Sequence, residues 1–270
     1  MIVFPNCKIN LGLSIIEKRN DGYHNLETVF YPIPLYDVLE IIPSGDGNTT
    51  FNSSGISIPG DENQNLCLKA YHLLKEDFDF DGVKIYLHKA IPMGAGLGGG
   101  SSDAAHTLIL LNDLFKLKLD QEQLLNYASK LGADCAFFIM NKPSFAIGRG
   151  DQFKALDLNL EGYHVIIVKP EIHVGTAEAY AGVSPGHHLF SVENLIEKSI
   201  DEWRFTLKND FEKNIFANHP EIEIIKNIFY ENDAIYASMS GSGSSVFGLF
   251  KKPIDLSPKF EGYFYWSSKI

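Results

Sequence analysis

Between Pro92 and Ala105 the chain reads Pro92-Met93-Gly94-Ala95-Gly96-Leu97-Gly98-Gly99-Gly100-Ser101-Ser102-Asp103-Ala104-Ala105, with five glycines in seven positions. Glycine lets the backbone take φ > 0 and approach a ligand with no side chain in between. Residues 83–88 alternate as a half-buried strand does and lead into the cluster, and a nearly apolar helix is expected from about Ser101 to Phe115. The loop therefore brings backbone N–H groups and the positive end of a helix to one point, which favours an anion. Ser101 and Ser102 add hydroxyl donors, or one of them serves a Mg²⁺ ion. A glycine-rich turn can also serve tight packing alone. Two serines at a strand-to-helix junction favour phosphate.

The common phosphate motifs fit poorly. Gly94 to Gly99 satisfies GxGxxG, but the acidic residue expected about 20 positions on, at the end of a following strand, is missing. A Walker A loop needs a lysine before Ser101, and none is there. No HRD or DFG set follows, so the protein-kinase pattern fails as well.

Composition narrows the classes further. The 270 residues carry 23 Lys plus Arg against 34 Asp plus Glu, a formal charge of −11. Phosphate backbones are held by an excess of cations, so a nucleic-acid partner is not expected. No stretch reaches the ~20 apolar residues of a membrane span, and the N-terminal residues resemble neither a secretory nor a transit leader. Cys7, Cys67 and Cys135 are scattered, which fits a reducing cytoplasm and no zinc site. A soluble, acidic, cytoplasmic protein acting on small molecules is expected, and its oligomeric state is left open.

Periodicity predicts strands near 9–16, 28–31, 38–42, 165–168, 234–239 and 246–250. It predicts helices over 65–75, 120–131, 192–198 and 221–230. The run Gly148-Arg149-Gly150-Asp151 marks a soft boundary, which divides the chain into domains 1–155 and 156–270.

Three segments together resemble the GHMP kinase superfamily: Pro5-Asn6-Cys7-Lys8-Ile9-Asn10-Leu11, the glycine loop, and Ser240-Gly241-Ser242-Gly243-Ser244-Ser245. The stretch Lys18-Arg19-Asn20-Asp21-Gly22-Tyr23-His24-Asn25-Leu26-Glu27-Thr28 is similar to the branch acting on 4-diphosphocytidyl-2-C-methyl-D-erythritol, in the non-mevalonate isoprenoid pathway. The resemblance implies an α+β fold with an S5-like ATP-binding domain and a ferredoxin-like domain, the active site lying in the cleft between them. It implies transfer of the ATP γ-phosphoryl group to the 2-hydroxyl of that cytidyl substrate, with Mg²⁺ accompanying ATP.

The same resemblance assigns roles. Asp134, in Leu131-Gly132-Ala133-Asp134, matches the general base, and Lys8 matches the assisting cation. The loop from Pro92 to Ser102, with Asn65, Leu66 and Lys89, is expected to hold ATP. Asn10, Tyr23, His24, Thr176, Tyr180, Ser240, Gly241, Ser242 and Gly243 are expected to hold the substrate, with aromatic rings sandwiching the cytosine. Asp103 stands where many relatives carry Asn, and it is expected to face away from ATP or toward Mg²⁺. Cys135, beside the base, reads as buried filler. Another GHMP kinase acting on homoserine, mevalonate or a sugar, a silent GHMP-like binding protein, and a dinucleotide oxidoreductase remain as alternatives.

Overall fold

The computed structural model describes residues 1–61, 64–183, 185–186 and 189–270. The chain opens with strands β1 (Ile2–Val3), β2 (Asn6–Lys18), β3 (His24–Tyr36), β4 (Val38–Pro43) and β5 (Thr50–Gly55). Helix α1 (Leu66–Asp77), strand β6 (Val83–Lys89) and helices α2 (Gly99–Phe115), α3 (Gln121–Leu131) and α4 (Cys135–Met140) follow. Next come β7 (Ser144–Ile147), β8 (Gln152–Ala155), β9 (His164–Lys169), α5 (Thr176–Ala181) and α6 (Val192–Ile196). Helices α7 (Ile200–Thr206), α8 (Glu212–Asn218) and α9 (Pro220–Glu231) precede β10 (Tyr236–Met239), β11 (Val246–Phe250) and β12 (Phe264–Lys269).

These elements form two compact units, each assembled from more than one stretch of chain. The first comprises Met1–Cys7, Leu35–Met93 and Gly98–Asn141. Its sheet has the order β1-β4-β6-β5, antiparallel except where β5 runs parallel to β6. Local chemistry starts its helices. The Asn65 side chain caps α1 by accepting from the Cys67 N–H at 2.8 Å, and Asp120 and Gln123 form a capping box on α3. Helix α2 starts at Gly99, two residues before the expected Ser101, because Gly98 turns the chain into it at φ +71°.

A buried ion cluster ties this sheet to α2. The Lys89 ammonium, at the end of β6, bonds Asp37 and also Asp103 Oδ2 at 2.7 Å, with all three residues no more than 2% exposed. Asp37 Oδ1 accepts from the Ala90 and Ile91 N–H groups at 2.6 and 2.9 Å. One ammonium thus serves two carboxylates. Burial works against the Lys89 charge, but Asp103 and Asp37 outweigh it and its pKa is raised. Burial, reinforced by the charge of Asp37, also pushes the Asp103 carboxyl up to about 7 despite the attraction of Lys89.

The second unit comprises Lys8–Pro34, Gly94–Leu97 and Lys142–Ile270. It holds most of a sheet ordered β2-β3-β7-β8 and an antiparallel sheet ordered β10-β11-β9-β12. Ile166 and Val168 of β9 pack with Ile222, Ile225 and Phe229 of α9 and with Phe250 of β11 in its main core. The strand expected near 28–31 is much longer, and the one expected from Ala234 starts at Tyr236, after a turn in which Asp233 takes φ +65°.

The Asp103 shift fixes the sign of a pH dependence. Its folded pKa lies above the unfolded value of ~3.9, so its contribution is complete below pH 4 and is lost as pH rises through 7. Asp103→Asn, which cannot ionise, loses part of the Lys89 ion pair at every pH, and its melting temperature relative to wild type is expected to be higher at pH 8 than at pH 5.5. Equal effects at both values, read by thermal melting, would contradict the shift.

Candidate active site

Residues 94–97, the start of β2 and the 240–245 loop meet in the second unit. Period-2 geometry puts Lys8 and Asn10 on one face of β2, and both are buried. The Lys8 ammonium donates to Asn10 Oδ1 at 2.6 Å and to the Gly96 carbonyl at 2.9 Å, and lies 4.8 Å from the centre of the Phe30 ring. The Ser240 hydroxyl donates to the same Gly96 carbonyl at 2.8 Å and accepts from the Asn10 N–H at 3.3 Å. The Lys8 N–H donates to Leu97 O at 3.0 Å, and the Ser245 N–H to Ala95 O at 3.3 Å.

Two residues that sequence reasoning missed hold the 240–245 loop. Asn209 donates to the carbonyls of Met239 and Gly241, each at 2.8 Å, and Glu212 accepts from the Met239 N–H at 2.9 Å. In sequence they look like ordinary polar residues after a helix.

The glycines here are needed for space as well as for conformation. Gly96 has φ +75°, and a Cβ on it would sit 1.8 Å from the Ser240 carbonyl oxygen. Gly94 and Gly98 repeat the left-handed φ at +57° and +71°.

The helical half of the loop belongs to the first unit. The start of α2 presents free N–H groups, and the Ser102 N–H closes the first turn on Gly98 O at 2.9 Å. Ser102 is buried, with its hydroxyl 3.4 Å from His106 Nδ1. Burial pushes the Cys135 thiol up to about 11, with Ser101 opposing the rise. Cys135 is fully buried, as filler should be. Asp134 is half-buried at the N-cap of α4, one residue before Cys135, and α4 packs against α2 within the first unit.

Asn65, Leu66, Lys89, Met93 and Gly100 line one cavity of about 150 Å³. Small-molecule sites commonly start near ~300 Å³, so it has room for only part of a nucleotide, such as a base. The Lys89 ammonium is engaged by Asp37 and Asp103. Asp103 faces that lysine.

The remaining expected residues surround the turn at Asp21-Gly22. Asp21 accepts from Arg19 and from the Tyr23 N–H at 3.1 Å, and Gly22 takes φ +86°. Tyr23 is exposed, with the Arg149 guanidinium 5.2 Å from its ring centre. His24 stacks on Tyr180 at 4.7 Å and 20°, and the edge of Phe211 meets Tyr180 at 4.9 Å. A base entering between His24 and Tyr180 would have to part them. Burial, with Lys18 adding to it, lowers the His24 pKa, which favours a neutral ring able to accept as well as donate. Thr176 opens α5, the helix that carries Tyr180.

Two family matches cover residues 65–142, described as the GHMP kinases N terminal domain, and 191–257, described as GHMP kinases C terminal. The chain belongs to the GHMP kinase family. It is 55% identical over 252 residues to the 4-diphosphocytidyl-2-C-methyl-D-erythritol kinase of Bacteroides fragilis, covering 93% of this chain and 92% of the relative. A crystal structure of 4-(cytidine 5'-diphospho)-2C-methyl-D-erythritol kinase superposes with a TM-score of 0.79 at 35% identity, over 92% of this chain and 90% of the other. Homoserine kinase from Cytophaga hutchinsonii shares the fold at a TM-score of 0.69 but only 16% identity, over 98% and 95% of the two chains.

The close approach at Gly96 gives a direct test. Gly96→Ala is expected to destabilise the protein by about 3 kcal/mol or more, because strain and a backbone clash add. Gly262→Ala, at φ +84° with open space around it, is expected to cost only about 1–2 kcal/mol of left-handed strain. Urea midpoints that move equally would deny the clash.

Proposed function

We infer that this chain transfers the γ-phosphoryl group of ATP to the 2-hydroxyl of 4-diphosphocytidyl-2-C-methyl-D-erythritol, a step of the non-mevalonate isoprenoid pathway. The observation that carries the reading is 55% identity along nearly the whole chain to a kinase of that name, against 16% to a homoserine kinase of the same fold. The Asp21-Gly22-Tyr23-His24 segment supports the cytidyl substrate over other alcohols.

In this reading Asp134 accepts the proton of the attacking hydroxyl, and Lys8 supplies positive charge to the reacting oxygens. Phosphoryl transfer asks mainly for positioning and charge neutralisation, so few side chains need enter the chemistry. The backbone from Gly94 to Ser102 holds the phosphates. The cavity at Asn65, Leu66, Met93 and Gly100 takes the adenine, with Lys89 shaping its wall and leaving its ammonium to the two carboxylates. His24 reads the cytosine edge, Tyr23 and Tyr180 provide rings, and Asn10, Thr176 and the backbone of Ser240, Gly241, Ser242 and Gly243 hold the rest of the substrate. Among the described residues no three His, Cys, Asp or Glu side chains form a metal cluster. Mg²⁺ commonly binds through substrate phosphates with few protein ligands, so it would arrive with ATP and neutralise phosphate charge. The division at residues 1–155 and 156–270 is proposed as the family's modular one, supported by the two separate family matches.

Asp134→Asn removes the base and little else. It is expected to leave the ATP dissociation constant within about twofold and to lower kcat by roughly 10²–10⁴. Equilibrium nucleotide binding and steady-state turnover check this, and near-wild-type kcat would assign the base to another carboxylate.

A further inference from the structure

Thr28 lies on β3, 1% exposed, in register with Ala146 of β7. It sits in the stretch that marks the substrate branch, yet sequence reasoning treats it as a strand residue and no more. Its hydroxyl has two partners. It donates to the Gly12 carbonyl at 2.6 Å and accepts from Asn10 Nδ2 at 2.9 Å. Gly12 takes φ +71° within β2, a conformation that favours glycine.

The polarity of this chain of bonds is forced. A carbonyl can only accept, so the Thr28 proton goes to Gly12, and toward Asn10 the hydroxyl is left as an acceptor. The Asn10 amide must therefore turn its NH₂ group to Thr28 and its Oδ1 to the other side. On that side is the Lys8 ammonium, which can only donate, 2.6 Å away. With the amide reversed, Asn10 would present N–H donors to an ammonium. The second acceptor of Lys8, Gly96 O, also receives the Ser240 hydroxyl, so the ammonium is held between a glycine-loop carbonyl and an amide oriented from β3.

We propose that Thr28 is a positioning residue for phosphoryl transfer: through its hydroxyl it fixes the orientation of the Asn10 amide, and through Asn10 it aims the Lys8 ammonium. The proposal rests on the catalytic reading of Lys8 above. Thr28 touches no substrate in this account, so its removal acts on the rate of the chemical step more than on binding. Thr28→Val matches the side chain in shape and removes both the donor and the acceptor. The Asn10 NH₂ then lies buried without its partner, and the amide is free to turn.

The experiment compares wild type, Thr28→Val, Thr28→Ser, Lys8→Ala, Asn10→Ala and the Asn10→Ala/Thr28→Val pair in single-turnover and steady-state assays with ATP, Mg²⁺ and the cytidyl substrate. Folding of each is checked by thermal melting. Thr28→Val is expected to lower the rate of the chemical step roughly ten- to a hundredfold, with the KM of ATP within about twofold and that of the cytidyl substrate raised by less than the rate is lowered. Thr28→Ser, which keeps the hydroxyl, is expected to restore most of the rate. In the Asn10→Ala background Thr28→Val is expected to cost nothing further, because the amide it orients is gone. The proposal is overturned by wild-type turnover in Thr28→Val, by equal losses in the Val and Ser variants, or by the same loss with and without Asn10. Full turnover in Lys8→Ala would instead overturn the catalytic reading of Lys8, and the proposal with it. If Thr28→Val does not fold, Thr28→Ala takes its place in every comparison.

Discussion

A lysine buried to the extent of Lys8 needs acceptors at fixed places, because an ammonium taken from water without them is costly. Asn10 Oδ1, two residues along the same strand, and the Gly96 carbonyl, from the glycine loop, supply two. Gly96 O reaches Lys8 because position 96 has no Cβ and can lie against the Ser240 carbonyl. Ser240 in turn bonds both Gly96 and Asn10, and Asn209 and Glu212 hold the backbone beside it. The ammonium thus determines why the three motifs, far apart in sequence, must be packed together.

The acid excess takes on a different meaning beside this arrangement. Both proposed substrates are polyanions, and a chain of charge −11 repels them at long range. Salt screens that repulsion beyond ~10 Å. In the proposed function attraction is local, and would rest on loop N–H groups, the start of α2, Lys8 and a metal accompanying ATP. The one other cation expected at the nucleotide, Lys89, is held by Asp37 and Asp103 inside the first unit, so its charge contributes to folding.

Much of the chain could be read before its structure. Strands β2, β4, β6, β9 and β11 carry clear apolar runs or alternation, α1 and α3 have helical periodicity with capping residues at their starts, and α9 has the periodicity with Pro220 in its first turn. Strands β7, β8 and β12 and helices α4, α5 and α8 carry no such signal, and α7 carries only the Ser199–Glu202 capping box. Gln152-Phe153-Lys154-Ala155 has little periodic contrast and is defined by its pairing with β7, and Cys135–Met140 is six residues long. The motifs led to Lys8, Asn10, the glycine loop and the 240–245 loop, which do converge. The Lys89 cluster was hidden because its acids lie 52 and 14 residues away, and only the tertiary fold brings them together. Thr28 and Asn209 were missed for the same reason: each acts through a hydrogen bond to a distant segment, and neither residue type stands out where it occurs.

The most direct measurement is ADP release by the folded chain with ATP and Mg²⁺, offered the cytidyl methylerythritol substrate, mevalonate and homoserine in separate reactions. The account predicts turnover of the cytidyl compound and a kcat/KM at least about a hundredfold lower for the other two alcohols. No turnover of the cytidyl compound, or a comparable kcat/KM for mevalonate or homoserine, would contradict it.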